Sequence, residues 1–125
     1  MFRRMSLRRA ERRSNHVRWL KDYQEVFDDI TDEVEYKRLY LRAESLLRGL
    51  TTRRIDEVVD PSDFRYEQVK MAIIHAIHEL REKRGSSGVS IISNDGYYVG
   101  DEAWNRSLED NIRSMLSGTG LMGYM

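Results

Sequence analysis

The chain has 125 residues, 40% of them hydrophobic, enough for one small domain with a modest core. Lys+Arg 21 against Asp+Glu 21 leaves no net charge, which argues against a dedicated nucleic-acid binder, and the lack of cysteine excludes disulfide and thiolate chemistry. No apolar run approaches the roughly 18 residues of a membrane span, and the N-terminus lacks the apolar centre of a secretory signal, so the expectation is a soluble, cytoplasmic protein with no membrane partner.

The neutral sum hides a segregation. Residues 1–18 hold seven Arg against the single acid Glu11, and residues 22–35 hold seven acids and no base. Blocks of this kind suit an interaction arm or charge pairing between copies, and Arg8, Arg9, Arg12 and Arg13 are candidates for contact with DNA or a partner. A solvated, partly frayed helix is the plain alternative. This charged segment, residues 1–30, can be helical from about Ser14, with Leu20, Tyr23 and Phe27 among its scattered apolar positions.

A clearer helix follows. Asp32 can cap it, with Glu35 reaching back to complete a capping box. Tyr36, Leu39, Tyr40, Ala43, Leu46, Leu47 and Leu50 recur at i, i+3/i+4 spacing and form one apolar stripe that ends around Gly49–Thr52. Residues 51–61 read as a polar connection, with Pro61 where a new helix should begin. The third helix is expected from Ser62 or Asp63, burying Tyr66, Val69, Ile73, Ala76, Ile77 and Leu80, with Met71 and Ile74 widening the face. Glu79–Arg84 close it before Gly85.

Gly85-Ser-Ser-Gly88 reads as a flexible break. Beyond it the period becomes that of a strand, and Asn94-Asp95-Gly96 between β-formers predicts a hairpin over 89–99. A lone hairpin is marginal in water, so it must lean on a helix or pair with another subunit through Ile91, Asn94, Tyr97 and Tyr98. Asp101 can cap a last helix carrying Trp104, Leu108, Ile112, Met115 and Leu116, and Gly118 suits a left-handed position after its end. The tail, residues 119–125, is apolar, which suggests docking onto something or folding back on the domain's own core. The expected fold is therefore mainly α. It is a small bundle of three to four helices with one short β-hairpin between the last two, spanning residues 31–118.

Catalytic patterns fail their structural contexts. His75 and His78 stand at i, i+3 on a helix, but no third ligand converges in sequence, so neither a metal nor another cofactor is expected. Gly118-Thr-Gly120-Leu-Met-Gly123 matches a dinucleotide-binding pattern by letter, yet it follows a helix instead of a strand. No Ser stands in a nucleophile elbow, and the carboxylates single out no acid/base pair. The chain therefore reads as non-enzymatic.

The order of elements resembles a known family. Residues 36–50 (YKRLYLRAESLLRGL) look like the first core helix of the head-tail connectors, or head-completion adaptors, of long-tailed bacteriophages. Residues 67–84 (EQVKMAIIHAIHELREKR) resemble their central apolar helix, Ser93–Val99 (SNDGYYV) is similar to their Tyr-containing hairpin, and Met115–Tyr124 (MLSGTGLMGY) resembles the final helix and Gly-Thr-Gly-Leu tail. The resemblance covers about residues 32–125 and leaves the Arg-rich segment outside. It implies a virion protein at the capsid–tail junction, assembled in the host bacterial cytoplasm. In the family such a protein forms a ring, twelve-fold, beneath the portal, extends the channel for packaged DNA, and presents a platform to the stopper or tail-completion protein. It also implies that Leu121, Met122 and Tyr124 contact the portal or a neighbour. A small nucleic-acid-binding regulator using the N-terminal Arg block is the alternative.

Overall fold

The computed structural model describes residues 18–30, 32–86, 92–93 and 95–122. Expectations placed on Arg8, Arg9, Arg12, Arg13, Ile91, Asn94 and Tyr124 lie outside these residues. Four helices pack as a bundle: α1 (Leu20–Val26), α2 (Glu33–Thr51), α3 (Tyr66–Ser86) and α4 (Glu102–Met115), with a 3-10 turn at Arg54–Glu57. α3 is the centre, packed against α2 on one side and α4 on the other. Among the described residues, no helix is long and apolar enough to cross a membrane.

The apolar stripes explain this arrangement. On α2, Tyr36, Leu39, Tyr40, Ala43, Leu46 and Leu47 are all buried, at the spacing that puts them on one face. α3 buries Val69, Ala72, Ile73, Ile74, Ala76, Ile77 and Leu80, a wider band because it has a neighbour on each side. Each fully buried Leu or Ile contributes about 1.5–3 kcal/mol of transfer free energy. Leu108 and Ile112 of α4 and Leu116 just beyond it complete the seam.

Helix ends depart from sequence expectation for local polar reasons. Asp32 caps α2 as expected, its Oδ1 accepting from Val34 N–H at 2.9 Å. Glu35 does not close a capping box; its carboxylate pairs instead with the Arg81 guanidinium of α3 at 3.1 Å. The N-terminal helix stops at Val26, because Asp28 takes a left-handed backbone (φ 50°) and Ile30 turns into the core. α3 begins at Tyr66, not at Ser62 or Asp63. Asp60 and Asp63 accept hydrogen bonds from the backbone N–H groups of Ser62 and Arg65, both at 2.9 Å, and these tight turns compete with helix. The far end of α3 runs through Gly85 to Ser86.

The 51–61 connection is not merely polar. It buries Ile55 and Val58, and Thr51 Oγ1 donates to Leu47 O at 2.7 Å while accepting from Ile55 N–H at 3.3 Å. Of the hairpin expected over 89–99, residues 89–91 and 94 lie outside the described residues; among the described residues there is no strand, only one antiparallel bridge between Ile92 and Tyr98.

Candidate interaction surfaces

The Asn-Asp-Gly turn lies directly on α2. Ser93 N–H donates to Tyr97 O at 2.7 Å and Gly96 N–H to Ser93 O at 3.1 Å. Gly96 has φ +87° and sits so close to α2 that a Cβ there would stand 2.6 Å from Arg42 O. Only glycine fits both constraints. Tyr98 is wholly buried: its hydroxyl donates to Leu80 O at 2.7 Å, and its ring meets Trp104 edge-on at 5.0 Å. Asn105 of α4 serves both sides of the Tyr98 peptide, accepting from its N–H at 3.0 Å and donating to its carbonyl at 2.8 Å. Tyr97 is half-buried, and burial, then the Glu109 carboxylate, push its phenol above the ordinary range. Lys83 pairs with Asp101 beside this turn; that contact, with the Trp104 N–H, holds the Asp101 carboxyl below its usual range.

The described part of the C-terminal tail is fastened to the same bundle. Gln68 of α3 donates through Nε2 to Met115 O (3.3 Å) and Ser117 O (2.8 Å), satisfying carbonyls left open at the end of α4. Thr119 is buried, donating to Leu116 O at 2.6 Å and accepting from Leu121 N–H at 3.1 Å. Arg54 reaches across from the 3-10 turn to Gly120 O at 2.6 Å. Leu121 is thereby inserted into the chain's own core, with Met122 packed against it. Apolarity marks Leu121 and Tyr98 in the sequence; whose core each one fills depends on Gln68, Arg54 and Asn105, which carry no sequence signal.

The segment before α2 is held by aromatic rings. Trp19 has a left-handed backbone (φ 64°) and donates from Nε1 to the Tyr66 hydroxyl at 3.0 Å. The Arg18 guanidinium lies over the Trp19 ring at 4.0 Å, and Tyr36 donates its hydroxyl to Arg18 O at 2.5 Å. Trp19 belongs to no apolar stripe, so sequence periodicity misses it. A lone tryptophan in a charged stretch is the one available signal.

His75 and His78 do not act as a pair. Phe27 stands between the two, stacked flat on His78 (3.8 Å, 4°) and edge-on to His75 (5.2 Å). His75 faces a cleft of about 210 Å³ between α3 and α4, lined also by Glu79, Leu108, Asn111, Ile112, Ser114 and Met115. That is below the ~300–1,000 Å³ of typical small-molecule pockets. Burial, then the neighbouring His78, hold the His75 imidazole below its usual range. His78 turns the other way, with Nδ1 3.2 Å from Asp29 Oδ2.

Among the described residues the most exposed large apolar side chains are Phe64 and Val59, 75% and 71% exposed, on either side of Pro61 in the loop before α3. Val99 after the turn and Val34 at the start of α2 are also open to solvent. Beside Phe64, Asp63 is held down to about 2 by its hydrogen bonds from the Arg65 side chain and then its backbone. Comparison with family models, curated proteins and solved structures finds no match to this chain.

Proposed function

We propose that the chain is a non-enzymatic structural subunit of a bacteriophage virion. In this reading it is a head-tail connector that joins the portal as a ring after DNA packaging, extends the DNA channel and carries the stopper or tail proteins. The observation that supports this reading most is one of order. The first three stretches that resemble the connector family lie, in sequence, on α2, on α3 and on the tight turn, and the fourth begins at the last residue of α4 and continues into the tail. A bundle that displays Phe64 and Val59 on one loop and Val99 on another has apolar surface to offer a neighbour.

In the assembled ring, the finer part of the proposal is a longer hairpin at 89–99 that meets a neighbouring subunit through Ile91, Asn94 and Tyr97. Tyr98 contributes from inside, by holding the turn on the bundle. Met122 and Tyr124 are the tail residues offered to the portal or a neighbour, with Leu121 as their internal anchor. The Arg segment at 8–13 then contacts DNA in the channel or the acidic block of another copy.

Light scattering after size exclusion, with and without a portal protein encoded beside this chain, tests the reading. A stoichiometric complex or ring is the expected result, and a chain that stays monomeric with every such portal removes the proposal. Because Leu121 is buried, removal of 123–125 is the truncation that separates attachment from folding. It should weaken portal binding and leave helical content unchanged. DNA binding by the isolated chain with a steep salt dependence would instead favour the nucleic-acid regulator.

A further inference from the structure

The sequence pairs His75 with His78 and finds no third ligand. The fold supplies two others for His78. Glu82 lies one turn along α3 on the same face, and Asp29 arrives from the segment after α1. One donor atom from each of Asp29, His78 and Glu82 lies within 4.8 Å of the other two. Asp29 Oδ2 and His78 Nδ1 are 3.2 Å apart, close to the ~3.4 Å that two donors adopt around a tetrahedral ion with bonds of about 2.1 Å. Glu82, the exposed member, has a carboxylate oxygen 4.0 Å from Nε2 of the same ring and reaches the Nδ1 side by a side-chain rotation through solvent.

A second observation points the same way. The buried hydroxyl of Tyr23 faces the Asp29 carboxylate, yet neither it nor Asp29 Oδ1 closes a hydrogen bond of normal geometry. Buried polar atoms are rarely left unsatisfied. A cation on the carboxylate, with water bridging to the phenol, satisfies both.

The local charge balance also allows a cation. Arg81 lies 3.8 Å from Asp29 Oδ2, but its guanidinium is matched by Glu35 at 3.1 Å. Asp29 and Glu82 therefore keep two negative charges for an incoming ion. The Phe27 ring stacked on His78 fixes the imidazole plane and closes one side.

We propose that Asp29, His78 and Glu82 form a site for a divalent transition cation, zinc first among them, which pins the segment after α1 to α3. The mixed nitrogen and carboxylate donors select zinc over magnesium. Water completes the coordination, so the site is a structural clasp with one face open. The ion takes the place of the hydrogen bond between the imidazole and Asp29.

The test uses the full chain, stripped with EDTA and titrated with zinc chloride, read by calorimetry and by thermal denaturation. Saturable one-to-one binding and a Tm raised by zinc, reversed by EDTA and not reproduced by magnesium, are expected. Glu82→Gln changes an exposed side chain and should weaken zinc binding at least about tenfold, measured against the metal-free Tm of the same variant. His78→Gln should abolish it, and His75→Gln should leave it intact. Absence of saturable zinc binding would overturn the site, as would a zinc response that survives E82Q and H78Q or follows H75Q.

Discussion

Between α2 and α3 the contact is almost wholly apolar, with Leu39, Ala43 and Leu47 of one helix and Ile73, Ile77 and Leu80 of the other in a single cluster. The segments that wrap this pair, residues 18–30 before it and 116–122 after it, are fixed differently. Each buries two or three apolar anchors, Trp19, Tyr23 and Ile30 or Leu116 and Leu121, and is then tied by side-chain hydrogen bonds between distant parts of the chain: Trp19 to Tyr66, Gln68 to Ser117, Arg54 to Gly120. Apolar packing is non-directional and additive, so the centre tolerates small shifts and loses stability as a whole. A tie made by one donor is worth about 0.5–1.5 kcal/mol and is lost alone. The ends can therefore open while the centre stays folded.

Substitutions can break that comparison or sharpen it. The largest effect belongs to the centre: Ile77→Ala should cost about 2–5 kcal/mol in urea unfolding followed by circular dichroism, with every probe moving together. Gly96→Ala should cost about 1–3 kcal/mol, because the new methyl meets Arg42 O on α2 and the backbone has positive φ. If the turn were only loosely attached, that variant would be silent.

Gln68→Ala should cost about 0.5–1.5 kcal/mol or less, and its effect should be local. Hydrogen exchange should accelerate at 116–122 while the α2 and α3 amides keep their protection; uniform acceleration would mean that the tail is an integral part of the core. The smallest effect is electrostatic. Asp63 titrates lower in the folded chain, at about 2 against 3.8, so its contribution is complete above about pH 4 and is lost as pH falls through about 2. Asp63→Asn should flatten that part of the Tm–pH curve, a small change because Asp63 lies in a surface loop and pairs with Arg65 two residues away.

The same division explains what the sequence makes legible. The stripes of α2 and α3 follow from period alone, and every residue from Tyr36 to Leu47 expected on the buried face is there. The start of α3 is misjudged because Pro61 suggests a first turn, whereas Asp60 and Asp63 draw nearby N–H groups into turns of their own. The ends are less legible still. Apolarity identifies Tyr98 and Leu121 as buried, but a partner's surface and the chain's own core leave the same trace in a sequence. Asn105, Gln68 and Arg54 decide between them, and each looks like an ordinary polar residue on a helix or turn. The His78 cluster is illegible for the same reason, since Asp29 lies 49 residues away.

Trp19 and Trp104 are the two tryptophans of the chain, and each sits in one of the seams between an attached segment and the bundle. One indole donates to Tyr66 beneath an arginine; the other lies against the Tyr98 ring with the Lys83 ammonium 5.9 Å away. Their surroundings differ enough for their emission to differ. The protein thus carries an intrinsic optical reporter at each seam, and Trp→Phe replacement of either one would let the opening of the other be followed without an added label.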